Sequence, residues 1–147
     1  VSLKIVTWDE YTGLLDKLSN DIALRHFDAI VAIGRGGCMI GAFLASKLGI
    51  PTVTSVFVRH VGRGANLRIE VTDLGKVQSL RGSLLVVDDW LVEGRAMTFV
   101  LDRIPKAASI TTLVMFNRKG SKFTPDIVGA YVKETEREIM FPYDVLG

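Results

Sequence analysis

Leu84-Leu85-Val86-Val87-Asp88-Asp89-Trp90-Leu91-Val92-Glu93-Gly94-Arg95-Ala96 is the stretch on which the fold turns. Its first four residues are apolar on both faces, the pattern of a strand covered from above and below in a parallel sheet. The run stops at two adjacent carboxylates. Beyond Gly94, residues Met97, Val100, Leu101 and Ile104 recur at helical spacing until Pro105, which predicts a helix over that span. Strand, acid pair, short loop and helix follow in order. In open α/β sheets, ligands bind beyond the carboxyl ends of the strands, where this pair falls.

A second run of this kind, Ala29 to Ile33, ends in Gly34-Arg35-Gly36-Gly37. Ile40, Leu44 and Leu48 then share one helical face, and Gly49 and Pro51 stop the helix. Glycines at a strand-to-helix turn let backbone approach a ligand, N–H groups at a helix start attract anions, and Arg35 adds a bidentate phosphate donor. A tight turn with an incidental surface arginine is the other reading. The turn is not a dinucleotide fingerprint, because Met39 stands where the third glycine belongs. It is not a Walker A loop either, since no Lys-Ser or Lys-Thr pair follows. Asp88 and Asp89 also read two ways. Either they are kept to hold hydroxyls or a divalent metal, or one caps the helix and the other is solvated. The amides from Val92 to Ala96 make a second anion cradle.

The alternation continues to both sides. Thr7 and Glu10 have capping-box spacing, and Tyr11, Leu14, Leu15, Leu18 and Ile22 form a stripe behind it, with Arg25 and His26 expected in the last turn. Val53 to Val58, Ile110 to Phe116 and Ile127 to Val132 read as strands. Arg59 to Arg68 holds two glycines and three arginines without an apolar period, and is expected to be an exposed, mobile loop. The fold expected is α/β: one domain over 1–147, a three-layer, mostly parallel twisted sheet flanked by helices.

Composition narrows the function. A chain of 147 residues with 48% apolar and 23% charged residues builds one ordinary globular core. Eighteen basic against 16 acidic residues leave a net charge of +2, too weak a bias for a protein that neutralises nucleic-acid phosphates. The one cysteine, Cys38, supports neither a disulfide framework nor a zinc set and is expected to pack as a small apolar residue. No apolar run is long enough to span a bilayer and no signal peptide is read, so the expectation is a cytoplasmic protein with no membrane partner. His60 reads as a solvated loop histidine or a pyrophosphate contact, and Trp90 as lining either a pocket or an interface.

Together, the apolar strand with Asp88-Asp89, the glycine-containing loop and the upstream Gly-Arg-Gly-Gly turn resemble the type I phosphoribosyltransferases. The likeness is nearest to their short 6-oxopurine members. Ile5-Val6-Thr7-Trp8-Asp9 resembles their start, Arg35-Gly36-Gly37 their first loop and Phe141-Pro142-Tyr143-Asp144 their ending. The resemblance implies a purine phosphoribosyltransferase that uses Mg²⁺ (magnesium) and phosphoribosyl diphosphate to convert a purine base to a nucleoside monophosphate and pyrophosphate, working as a homodimer or homotetramer. It implies that Arg35, Gly36, Gly37 and Arg59 bind pyrophosphate and that Asp88 and Asp89 hold the ribose hydroxyls, Asp89 being nearest the metal. Val92, Glu93, Gly94, Arg95 and Ala96 would wrap the 5′-phosphate, and the 59–68 loop would close over the reacting centre. The segment 117–147 would be base-proximal, with Arg118 or Lys119 facing the purine 6-oxo group and Ile139 and Asp144 bordering the base. The chain departs from the family pattern at four positions. Glu93 and Ala96 stand where threonines donate to phosphate, Val92 where an acid handles the base proton, and Glu138 where an aromatic residue stacks on the purine. Tyr143 or Phe141 could take over that stacking, with core packing the expected role of Phe141. A non-catalytic nucleotide-binding or regulatory protein on the same fold is the alternative these departures raise.

Overall fold

The structure, a computed structural model, describes residues 2–144. Residue 1 and residues 145–147, the ends of the expected 1–147 domain, lie outside the described residues. In chain order the elements are β1 (Ser2–Ile5), α1 (Trp8–Asp21), β2 (Ala29–Ile33), α2 (Gly34–Leu48), β3 (Thr52–Val61), β4 (Arg68–Asp73), β5 (Ser83–Leu91), α3 (Arg95–Leu101), β6 (Ser109–Arg118), β7 (Ile127–Val132) and β8 (Glu136–Met140). Six strands form one sheet in the order β4-β3-β2-β5-β6-β7, parallel throughout except for β4, which runs antiparallel to β3. β1 and β8 pair in parallel as a separate two-stranded ribbon.

Period-two alternation along the central strands divides the core. Ile30 and Ala32 of β2 and Leu85 and Val87 of β5 face Tyr11, Leu15, Leu18, Ile40 and Leu44 of α1 and α2. Val31, Leu84 and Val86 face Met97 and Val100 of α3 on the other side. Each such burial of a large aliphatic side chain stabilises by about 1.5–3 kcal/mol relative to exposure, so the strand that carries the acid pair is anchored on both faces. From β2 the chain crosses one way to β3; from β5 it goes the other way to β6 and β7. The β2/β5 junction is therefore the switch point at which α/β sheets open a crevice.

Several expectations are corrected. Arg25 and His26 do not lie in the last turn of α1. The helix stops at Asp21, and the chain turns back to bury Phe27, with Arg25 donating to Thr111 Oγ1 at 2.8 Å. α3 ends at Leu101, and looser turns, Arg103 N to Val100 O and Ile104 N to Leu101 O, carry Ile104 into the core before Pro105. The 59–68 stretch is not an irregular loop. β3 runs on to Val61, and Arg59 to Val61 pair with Arg68 to Glu70 in an antiparallel hairpin whose tip, Gly62 to Asn66, is exposed.

Candidate active site

β2 and β5 are hydrogen-bonded neighbours, with Ala32 opposite Val87, so their carboxyl ends open side by side. The glycine turn begins α2 directly at Gly34. A methyl group on Gly36 would overlap the Asp89 carboxylate, and one on Gly37 would lie 2.7 Å from the Val87 carbonyl oxygen. The first turn of α2 thus lies flat on the end of β5, and glycine is required there by the neighbouring strand. The same packing joins the predicted glycine turn to the predicted acid pair. Arg35 is exposed beside this contact.

Asp88 and Asp89 continue β5 and project to opposite faces. Asp89 Oδ2 accepts from the Tyr143 hydroxyl at 2.8 Å, and the Asp89 N–H donates to Asp88 Oδ1 at 2.8 Å. Burial, then the Asp89 charge, holds the Asp88 carboxyl well above the usual carboxylate range. The same two causes raise the Tyr143 phenol and push the Tyr11 phenol up to about 12. Tyr143 stacks on buried Phe141 with ring centroids 5.3 Å apart and meets Tyr11 edge-on at 5.6 Å. The Tyr11 hydroxyl is buried without a hydrogen-bond partner among the described residues.

On the other face of β5, a cavity of about 300 Å³ is lined by Asp88, Trp90 and residues Val92 to Ala96, and by His60 and Leu67 from the hairpin. The arginine-bearing hairpin therefore reaches over the predicted phosphate loop. Glu93 pairs with Arg118, and its Oε1 lies 3.5 Å from Arg137 Nη1. Arg118, expected to face a base oxygen, is only 2% exposed. Its Nε donates to Val92 O at 3.2 Å and its Nη1 to Lys119 O and Glu134 O at 3.1 and 3.2 Å. It is a clamp beneath the 92–93 backbone.

Trp90 lines a second cavity of about 460 Å³ with Leu3, Arg137, Glu138, Ile139, Met140 and Asp144. Ile139 and Asp144 thus line one cavity, and Asp144 Oδ2 is engaged by the Phe141 N–H at 2.7 Å. Seven predicted residues line neither cavity: Arg35, Gly36, Gly37 and Asp89 meet at the β2/β5 edge, Arg118 is buried, and Arg59 and Lys119 lie elsewhere. Arg59 is held across the hairpin by Glu70 at 2.9 Å, and exposed Lys119 borders a different hollow with Asn117 and Tyr131. Sequence reasoning missed Arg137, which reads as a solvated charge in Glu136-Arg137-Glu138. It also missed the Tyr143–Asp89 bond, which joins residues 54 positions apart and leaves no local signal.

The sequence profile of the phosphoribosyl transferase domain matches residues 7–144. The xanthine-guanine phosphoribosyltransferase of Idiomarina loihiensis is 30% identical over 95% of this chain and 86% of its own length. That of Chromohalobacter salexigens is 28% identical over 95% and 83%. The fold is that of a purine phosphoribosyltransferase from Pyrococcus horikoshii, which superposes with a TM-score of 0.83 over 100% of this chain and 97% of that one at 20% identity. With the profile spanning both carboxyl-edge loops and the acid pair between them, the chain belongs to the phosphoribosyltransferase family.

Proposed function

We propose that the protein transfers the phosphoribosyl group of phosphoribosyl diphosphate to an oxopurine base. The observation that supports this most is the seating of Gly36 against Asp89, which sets a glycine-lined anion turn and an acid pair at one sheet edge. The xanthine-guanine enzymes at about 30% identity support the choice of base.

In this reading the amides of Val92 to Ala96 and Arg95 receive the 5′-phosphate, while the Arg35-Gly36-Gly37 turn receives pyrophosphate. Asp88 and Asp89 accept from the ribose hydroxyls. No cluster of three or more His, Cys, Asp or Glu side chains occurs among the described residues. Asp89, a carboxylate beside the glycine turn, is of the oxygen-ligand type that Mg²⁺ takes. Asp89 would hold the ion, which neutralises charge on the departing pyrophosphate. A purine nitrogen forms the bond to C1′ as the bond from C1′ to the pyrophosphate oxygen breaks. The protein's share is alignment and stabilisation of the positive charge that develops on the ribose. Val92 has no group to take the purine proton. Asp88 and His60 line the same cavity and are able to accept one, whereas Glu93 is paired with arginines.

The test is to incubate the protein with Mg²⁺ and phosphoribosyl diphosphate, adding guanine, xanthine, hypoxanthine or adenine in turn. Pyrophosphate release with the oxopurines is expected, and its loss in Asp89→Ala. No release above a protein-free blank with any base overturns the reading.

A further inference from the structure

We propose that Arg137 is the base-selecting residue of this site: its guanidinium donates to the exocyclic oxygen at C6 of the purine, and Glu93 positions it. The inference rests on the purine phosphoribosyl reading above and assigns the residue that reads the base.

Of the two cations that the sequence points to, exposed Lys119 borders a different hollow and Arg118 is already committed. Its donors are spent on three backbone carbonyls and on Glu93, inside the protein. The cavity beyond Trp90 has in Arg137 its only cation among the described lining residues, and the acid of Asp144 is taken by a backbone N–H. Arg137 is 52% exposed and reaches Glu93 at the longer distance of 3.5 Å. The carboxylate they share serves first the buried Arg118, where an unpaired charge costs most, so Arg137 keeps donors for a ligand.

A guanidinium presents donors and no acceptor. A carbonyl oxygen at C6 accepts from it; an amino group at C6 meets it donor to donor. One arginine at the cavity wall therefore favours oxopurines and disfavours aminopurines. Glu93 also belongs to the loop proposed for the 5′-phosphate, so phosphate seating and base choice share one carboxylate.

Calorimetric titration of the full chain with guanosine monophosphate, adenosine monophosphate and ribose 5-phosphate tests this. The wild type is expected to bind guanosine monophosphate more tightly than adenosine monophosphate. Arg137→Gln should weaken the guanosine nucleotide about tenfold, the scale of one charge-assisted hydrogen bond. It should leave ribose 5-phosphate unchanged and adenosine monophosphate no weaker than before, since the donor-to-donor clash is gone, and Arg137→Lys should restore most of the difference. Glu93→Gln should narrow the guanosine-to-adenosine ratio, and the double variant should lose no more selectivity than Arg137→Gln alone. Because Glu93→Gln leaves a buried arginine unpaired and risks unfolding, the half-exposed Arg137 decides the matter. An unchanged ratio in Arg137→Gln, or an equal loss for both nucleotides, overturns the inference while the phosphoribosyl reading stands. A wild type that binds neither nucleotide and releases no pyrophosphate overturns both.

Discussion

The Tyr143 hydroxyl donates to Asp89 Oδ2 at 2.8 Å and so ties the segment after β8 to the acid pair at the end of β5. Tyr143→Phe keeps the stacking on Phe141 and removes only this bond. A hydrogen bond to a charged acceptor contributes about 1.5–3 kcal/mol, and a loss in that range is expected by urea denaturation. A variant as stable as the wild type would show that the bond does not hold the segment.

Tyr11 provides the converse case. Its buried hydroxyl has no partner among the described residues, so Tyr11→Phe removes an unsatisfied group while keeping the edge contacts with Trp8, Phe141 and Tyr143. Stability is expected to rise by about 1 kcal/mol, read from the denaturation midpoint at an unchanged slope. A fall would mean the hydroxyl has a partner in solution.

Gly36→Ala places a methyl in the Asp89 carboxylate. Overpacking of this kind costs about 1–3 kcal/mol. Because the residue displaced is the proposed ribose and metal carboxylate, pyrophosphate release should fall by more than the loss of folded protein explains. Activity per folded molecule, from parallel circular dichroism and turnover measurements, is the deciding quantity, and a wild-type value removes the link.

Leu85→Ala empties a fully buried position on the strand that presents the acids. The cost expected is about 2–5 kcal/mol, visible as a lower melting temperature.

Glu70 gives the pH dependence. The Arg59 hydrogen bond chiefly, with help from Arg68, lowers its carboxyl below the ordinary 4.5. Its contribution to stability is therefore fully present above that value and lost as the pH falls through the lower folded one. The pairs are exposed and the effect is small. Glu70→Gln should melt slightly below the wild type at neutrality, with the gap closing in acid and in high salt. A gap that widens toward low pH would reverse the assignment.

The centre of the main sheet was legible because β2 and most of β5 and β6 are buried on both faces. Ala29–Ile33 and Ile127–Val132 were read to the residue, since continuous apolar runs bounded by Gly, Asp and Pro leave little choice. β1, β4 and β8 were not legible. Arg68–Asp73 and Glu136–Met140 are half-exposed and charged, and what makes them strands is pairing with distant partners. At the site, the acid pair and both loops could be read from local motifs. Arg118 could not: its type and position suggested a ligand contact, while its actual partners lie at Val92, Glu93 and Glu134 and depend on the folded arrangement of three segments.

The parallel ribbon of β1 and β8 bears on how the molecule is made. Leu3 lies opposite Glu138 in that ribbon, and both border the hollow beside Trp90. Contacts between such remote parts of a polypeptide are slow to form, because a long loop must close before any reward arrives. A ribosome-bound chain that has finished its six-stranded sheet still lacks this wall. The proposed purine seat therefore takes shape only once β8 has paired with β1, and it is lost when the two part.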